Sequence, residues 1–152
     1  MQKIKFNYAD GSFTFNKKGD LKTFVEKLFQ IEGKELESIN YIFCSDNYLI
    51  EINRFYLNHD DYTDIITFDL SESKQSPTIG EIYISTERVK ENANKFNVPI
   101  AQEMLRVVFH GALHLCGYKD KFPKDVKIMR AKEQKYLTLF SKRCSPWNLR
   151  ST

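Results

Sequence analysis

The segment from residue 100 to residue 116 constrains the fold more than any other part of the chain, because it is apolar on nearly every side of a helix. Its apolar residues are Ile100, Met104, Leu105, Val107, Val108, Phe109, Ala112, Leu113 and Leu115. A helix with no polar face belongs in the protein interior. The sequence therefore predicts a central helix, around which the rest of the chain folds.

Two of the chain's three histidines, His110 and His114, lie on this predicted helix. Residues four apart project from one helix face, with about 5–6 Å between their Cβ atoms. An unpartnered buried imidazole costs about 1–3 kcal/mol, so a shared metal ion explains the pair better than two separate core histidines. Gly117 allows the helix to end in a left-handed conformation, and Asp120 follows where the chain can fold back. The pattern predicts a metal site of His110, His114 and Asp120.

Several residues near the histidine pair have two interpretations each. Gly111 stands where His-Glu-x-x-His proteases carry their general base, which disfavours that mechanism. Arg106 could stabilise a charged transition state, or it could form a structural ion pair with Glu103. The polar loop at residues 58–64 is a further candidate site, and its His59 could approach the metal or remain at the surface.

Hydrophobic periodicity predicts both strands and helices along the chain. Strands are predicted at residues 3–8, 13–15, 39–44, 65–68 and 80–85. Helices are predicted at about residues 20–32, 46–56, 86–94, 100–116 and 124–142. The first two strands are expected to form a hairpin that turns at Asp10-Gly11. These elements predict an α+β fold with mixed layers, in which about five helices pack against one sheet.

Composition limits the domain organisation and the compartment. With 152 residues and 41% hydrophobic content, the chain fits a single domain spanning 1–152. The sequence has no apolar run of about 20 residues and no signal-peptide h-region, which predicts no membrane association. Cys44, Cys116 and Cys144 follow neither a disulfide nor a Cys-x-x-Cys pattern. Reduced thiols and the missing signal peptide predict a cytoplasmic protein.

Charge is unevenly distributed along the chain. Residues 1–118 hold 13 Lys/Arg against 17 Asp/Glu, for a net charge of −4, whereas residues 119–152 hold 10 against 3, for a net charge of +7. The basic C-terminal helix at about 124–142 follows directly after the candidate metal site. It could hold the phosphates of a polyanion such as RNA, or it could be a solvated helix face.

The block His110-Gly-x-Leu-His114-Leu-x-Gly117-Tyr118 resembles the signature of the YbeY family of bacterial endoribonucleases, metal-dependent factors in ribosomal RNA maturation. Asn53 with Tyr56, the run TDIITF at 63–68 and the run GEIYIS at 80–85 match other blocks of the family in order and spacing. The resemblance spans about residues 36–140. It implies a mixed sheet of four or more strands packed by helices, with the metal site at one end of the central helix.

Two positions depart from the family pattern. The family signature continues with Asp-His, and that histidine completes a three-histidine zinc site, whereas this chain has Lys119 and Asp120. The set His-His-Asp is harder than three histidines; zinc remains the expected metal, and manganese, nickel or iron stay open. Leu57 stands where the family usually has an arginine implicated in function.

Together the residues and the resemblance predict a metal-dependent endoribonuclease of the single-strand type that acts in ribosomal RNA processing and ribosome maturation. Ribosomal RNA and the small ribosomal subunit are the expected partners, and no nucleotide cofactor is expected. A metal-bound water and Arg106 are the catalytic candidates. Phosphate contacts are predicted for Lys119, Lys121, Lys124 and Arg130. Two alternatives are a non-catalytic ribosome assembly factor with a structural metal and a metal hydrolase of small molecules.

Overall fold

A computed structural model describes residues 2–11, 13–58, 63–144 and 149–150. The strands within these residues are β1 (Ile4–Tyr8), β2 (Thr14–Phe15), β3 (Leu36–Cys44), β4 (Ile65–Asp69), β5 (Thr78–Ser85) and β6 (Leu149–Arg150). The helices are α1 (Lys18–Ile31), α2 (Asp46–Leu57), α3 (Thr86–Phe96), α4 (Ile100–Leu115) and α5 (Pro123–Cys144). The predicted α+β class, with five helices in the part of the chain described, is confirmed.

The main sheet has four strands in the order β1-β3-β5-β4. β1 runs parallel to β3 and β3 runs parallel to β5, whereas β4 is antiparallel to β5. The sheet is therefore mixed, as predicted, and β4 lies at its edge. Side chains alternate between faces along a strand, and Ile65, Thr67 and Asp69 of β4 all line one cleft on the α4 side of the sheet.

The predicted N-terminal hairpin is wrong. β1 pairs with β3, and β2 instead forms a small antiparallel sheet with β6. Gly11 does supply a turn with a φ of 74°, but the carboxylate of Asp10 binds the backbone N–H of Ser45 at 2.8 Å and its hydroxyl at 2.6 Å. These bonds tie the end of β1 to the end of its parallel neighbour. Alternation of polar and apolar residues identified the strands and did not identify their partners.

The core forms between α4 and the sheet, as the apolar sequence of α4 predicts. Val107, Val108 and Phe109 are fully buried. Two glycines allow the close approach of helix and sheet: a Cβ added at Gly111 would lie 2.9 Å from Ile82, and one added at Gly80 would lie 2.4 Å from Leu115. Gly111 is thus a packing residue that faces the sheet, one position along from a candidate metal ligand.

The last helix packs against α4 through one face. Its buried residues Met129, Glu133, Tyr136 and Phe140 recur at intervals of three or four, which places them in one stripe. The Phe140 ring lies 5.9 Å from that of Phe109 on α4. No helix in the described residues is both long and apolar enough to cross a lipid bilayer.

Candidate metal centre

Three ligand atoms converge at the C-terminal end of α4. The Nε2 atoms of His110 and His114 lie 2.9 Å apart, and Asp120 Oδ2 lies 3.1 Å from the first and 3.4 Å from the second. A zinc ion with ligands at about 2.0–2.2 Å in tetrahedral geometry separates its ligand atoms by about 3.3–3.6 Å. The observed separations approach these values, so this donor set fits a small divalent cation.

The end of α4 brings Asp120 to the histidines. Gly117 has a φ of 106°, which reverses the chain after Cys116 at little cost for glycine. The N–H groups of Gly117 and Tyr118 donate to the carbonyls of His114 and Leu113 at 3.0 and 3.1 Å. The chain then leaves the helix axis and returns Asp120 to the same end, as the sequence predicts.

Both imidazoles are fixed through their other ring nitrogen. His110 Nδ1 donates to Glu133 Oε2 at 2.6 Å, and His114 Nδ1 donates to the carbonyl of Tyr118 at 2.9 Å. With the protons on Nδ1, each Nε2 presents a lone pair. Two lone pairs and a carboxylate oxygen then face one another across about 3 Å with no donor among them. A cation resolves this conflict, and histidine ligands held by carboxylates or carbonyls are usual around metals.

Glu133 was not among the residues that the sequence predictions singled out. It lies on α5, its side chain is 2% exposed, and it contacts His110, Arg106 and Arg130. A signal was present in the sequence, because Glu133 is one of three acidic residues after residue 118 and shares the helical spacing of the core residues of α5. A carboxylate at a core position of a basic helix indicates a buried partner.

A buried ion-pair network surrounds Arg106. Its guanidinium donates to both oxygens of Glu103 at 2.9 and 2.7 Å and to Glu133 at 3.2 Å, and it lies 3.6 Å from Asp64. The structural ion pair with Glu103, one of the two interpretations of the sequence, is therefore present. Burial would lower the pKa of Arg106, but Glu103 and Glu133 outweigh it and raise that pKa further above its ordinary value.

The pKa values of two carboxylates in this network are shifted in opposite directions. For Glu133, burial would raise the pKa, but the bond from His110 and the charges of Arg106 and Arg130 hold it below its ordinary value. For Asp64, burial dominates and raises the pKa despite the nearby charge of Arg106. Glu133 is therefore a firm anion at neutral pH, whereas Asp64 holds its negative charge less strongly.

The three candidate metal ligands, His110, His114 and Asp120, line a polar cleft of about 480 Å³ between α4, β4 and the start of α5. Its lining residues are Thr63, Asp64, Ile65, Thr67, Asp69, Arg106, His110, His114, Leu115, Asp120 and Arg130. The polar loop predicted as a candidate site contributes Thr63 and Asp64. The predicted residue His59 lies outside the described residues.

The four predicted phosphate-binding residues are all exposed, but they stand at different distances from the triad. Arg130 lines the cleft itself and donates to Glu133 at 3.0 Å. Lys119 lines an adjoining pocket that also includes His114. Lys121, whose ammonium group lies 5.8 Å from the centre of the Phe122 ring, and Lys124 do not line the cleft. The structure thus brings Arg130 to the site and Lys119 to an adjoining pocket, whereas Lys121 and Lys124 are exposed outside the cleft.

Three convergent ligands beside an open cleft are characteristic of hydrolytic metal centres, whereas structural zinc sites are closed by four protein ligands. The fold and the site together define the class of metal-dependent hydrolases, and the cleft beside the candidate ligands is large enough to admit part of a substrate. Comparison with known proteins identifies the family within that class.

The sequence profile of a family described as Endoribonuclease YbeY matches residues 6–141. A protein named Endoribonuclease YbeY from Christiangramia forsetii is 46% identical over 143 residues, which cover 92% of this chain and 97% of that protein. Another of the same name from Flavobacterium psychrophilum is 49% identical over 137 residues, covering 90% and 96%. The chain therefore belongs to the YbeY family of endoribonucleases.

The fold of the family agrees with the structure. A solution structure of a protein from Thermotoga maritima superposes with a TM-score of 0.60 at 34% identity, and the match covers 94% of this chain and 93% of that one. The resemblance inferred from the histidine block is thereby confirmed, together with the α+β fold and the endoribonuclease class of activity that it implied.

Proposed function

We propose that this protein cleaves single-stranded regions of ribosomal RNA in the cytoplasm, at the cleft beside His110 and His114, during maturation of the small ribosomal subunit. The family supports RNA as the substrate class. The observation that carries the proposal is the pair of Nε2 atoms that face each other at 2.9 Å. Two neutral imidazoles that carry their protons on Nδ1 cannot hydrogen-bond to each other through Nε2, and a metal cation between them and the carboxylate of Asp120 satisfies both lone pairs.

The charge of the surrounding network supports a divalent ion. Asp64, Glu103, Asp120 and Glu133 carry four negative charges, and Arg106 with Arg130 carries two positive charges, which leaves a net charge of −2 with neutral histidines. A dication neutralises this remainder. Two nitrogen ligands and one oxygen ligand suit zinc, and the same set also accepts manganese, nickel or iron.

We propose that His110, His114 and Asp120 hold this ion and that Arg130 binds the RNA phosphate next to it. When bound, the ion supplies Lewis acidity toward a phosphate oxygen and toward a water nucleophile. Arg106 is a second candidate for stabilising transition-state charge, after Arg130, because two buried carboxylates already bind its guanidinium. Lys119, Lys121 and Lys124 extend the path for the RNA backbone along the margin of the cleft.

Single-turnover cleavage of a labelled single-stranded segment of ribosomal RNA tests the proposal. The purified protein is stripped with a chelator and reloaded with zinc or manganese. Cleavage is expected to require the metal and to fall on the order of 100-fold or more in His114→Ala. Gln102→Ala is the matched control, because Gln102 is exposed on the same helix and does not line the cleft.

Two outcomes would decide for the alternatives. RNA binding without cleavage in both the metal-loaded and the stripped protein would favour an assembly factor whose metal is structural. Hydrolysis of an activated small phosphodiester, without measurable RNA affinity, would favour a small-molecule hydrolase. Equal cleavage by the wild type and His114→Ala would remove the metal centre from the mechanism.

A further inference from the structure

One buried carboxylate, that of Glu133, contacts both the candidate metal ligand His110 and the cleft residue Arg130. Glu133 Oε2 accepts the Nδ1 proton of His110 at 2.6 Å, and Glu133 Oε1 accepts N–H groups of Arg130 at 3.0 Å and Arg106 at 3.2 Å. The Glu133 side chain is 2% exposed, and an unpaired carboxylate there would be strongly unfavourable. Each of its two oxygens is therefore committed to a different functional element.

The bond to Oε2 decides where His110 carries its proton. An ionised carboxylate can only accept, so His110 Nδ1 must be the protonated nitrogen. This leaves the Nε2 lone pair directed at His114 and Asp120. His114 obtains the same tautomer from a backbone carbonyl, which no side-chain substitution removes. His110 is therefore the ligand whose protonation pattern depends on another side chain.

The bond to Oε1 holds Arg130 at the wall of the cleft. The Arg130 side chain is 57% exposed, and an exposed arginine without a fixed partner samples many rotamers. The bond to Glu133 uses one of the five N–H donors of the guanidinium. It restricts the side chain beside the cleft, next to the space that a phosphate at the proposed metal would occupy.

We propose that Glu133 is a positioning residue that sets the tautomer of His110 and the placement of Arg130 together, so that one carboxylate aligns the metal site with the phosphate site. The arginine half of this inference rests on the proposed function, because it needs RNA as the ligand of Arg130. The histidine half concerns the metal-binding imidazole alone and is measured without RNA.

Glu133→Gln separates these roles with little change in volume. An amide presents one acceptor oxygen, so it cannot accept from His110 and from the arginines on two separate oxygens. If its NH₂ group faces His110, the imidazole must accept at Nδ1 and carry its proton on Nε2, where it blocks metal binding. The expected result is a 10- to 100-fold weaker zinc affinity, as is typical when the carboxylate partner of a metal-bound histidine is lost.

Zinc affinity is measured by competition with a chromophoric chelator, and the tautomer by the ¹⁵N shifts of His110 in the metal-free protein. The ¹⁵N shifts are expected to report Nδ1–H in the wild type and Nε2–H in Glu133→Gln. Glu133→Asp keeps two acceptor oxygens, so it is expected to retain the Nδ1–H tautomer and more of the zinc affinity. If Glu133→Gln is unfolded by circular dichroism, the aspartate variant decides: the inference requires the Nδ1–H tautomer and zinc affinity to be retained or lost together, and loss of one without the other would contradict it.

Glu103→Gln is the matched control. Glu103 is 3% exposed and binds Arg106 through both oxygens, but it contacts neither histidine. Glu103→Gln is expected to lower the melting temperature about as much as Glu133→Gln, while its zinc affinity falls far less than in Glu133→Gln, because Glu103 contacts no candidate metal ligand. Equal losses of zinc affinity in the two variants would overturn the positioning role and indicate a general effect on stability.

The arginine half is tested by RNA binding in the presence of a chelator. Arg130→Gln and Glu133→Gln are each expected to weaken the binding of a single-stranded RNA, and the double variant is expected to bind no more weakly than Arg130→Gln. Fully additive losses would contradict the proposed link between the two residues. If the wild type binds zinc but does not cleave RNA, the proposed function fails, and the tautomer of His110 still decides the role of Glu133.

Discussion

The carbonyl oxygen of Tyr118 accepts a 2.9 Å hydrogen bond from Nδ1 of His114, four residues earlier in the chain. The backbone just beyond the end of α4 thus fixes a side chain on its last turn. The position of this carbonyl depends on Gly117, whose φ of 106° belongs to a region that side-chain-bearing residues rarely adopt. The conformation of the helix end therefore helps to set the geometry of the proposed metal site.

Gly117→Ala is expected to weaken zinc binding about tenfold. An alanine would be strained at this positive φ, and a shift of its backbone would move the Tyr118 carbonyl and Asp120, which follow it in the chain. Apart from Gly117 and its chain neighbours, no atom of the described residues lies within 4 Å of an added Cβ at Gly117, so the cost comes from the backbone, at about 1–2 kcal/mol. Gly11→Ala is the control: Gly11 also has a positive φ of 74° and open space, but it is remote from the site in sequence. Thermal melts and chelator competition on both variants make the comparison. Unchanged zinc affinity in Gly117→Ala would show that the helix end does not position the ligands.

The fold was largely predictable because local patterns determine most of it. The largely apolar sequence of α4 predicts a central helix, and Ser45 and Ser85 cap α2 and α3 as their positions suggest. The N-terminal hairpin was predicted wrongly because strand pairing depends on contacts between distant residues, such as Asp10 with Ser45. A turn sequence indicates where the chain bends and does not indicate which strand lies alongside.

The site was predictable only where its residues are close in sequence. His110, His114 and Asp120 share one helix end, so their spacing alone indicates convergence. Glu133 and Asp64 reach the same network from α5 and from the start of β4, and local spacing gives no measure of such distances. The basic composition of the C-terminal segment predicts a role for its lysines and arginines, and it does not indicate that one of its few carboxylates is buried at the site.

Glu32 at the end of α1 should make stability depend on pH in the acid range. Burial would raise its pKa, but hydrogen bonds from Tyr118, Tyr136 and Lys132 outweigh this and lower the pKa below its ordinary value of 4.5. A carboxyl group with a lowered folded-state pKa stabilises the protein above its unfolded pKa and loses that contribution as pH falls through the folded pKa. The stability advantage of the wild type over Glu32→Gln is therefore expected to be full above about pH 4.5 and to shrink below it. Urea unfolding of both proteins from pH 7 to pH 3 measures this, and a pH-independent gap would contradict it.

RNA binding should depend on salt through the basic residues near the cleft. Each phosphate contact to single-stranded nucleic acid contributes about −0.7 to the slope of log K against log salt concentration. Neutralising Lys119, Lys121, Lys124 and Arg130 together is expected to reduce the slope by up to about 2.8. Lys142→Gln, 18 residues after Lys124 or about 27 Å along the same helix, serves as the control and should leave the slope unchanged. An unaltered slope in the fourfold variant would remove these residues from the RNA interface.

Asp120 should set the metal preference of the site. Its Oδ2 lies 3.1 and 3.4 Å from the two Nε2 atoms, where the family pattern provides a histidine. Imidazole favours zinc over manganese more than a carboxylate does, so Asp120→His is expected to raise the ratio of zinc to manganese affinity at least about tenfold. Asp120→Ala is expected to weaken both metals, because it removes a ligand without replacing it. Chelator competition for zinc and electron paramagnetic resonance titration for manganese measure the two affinities. Wild-type affinities in Asp120→Ala would mean that Asp120 is not a metal ligand.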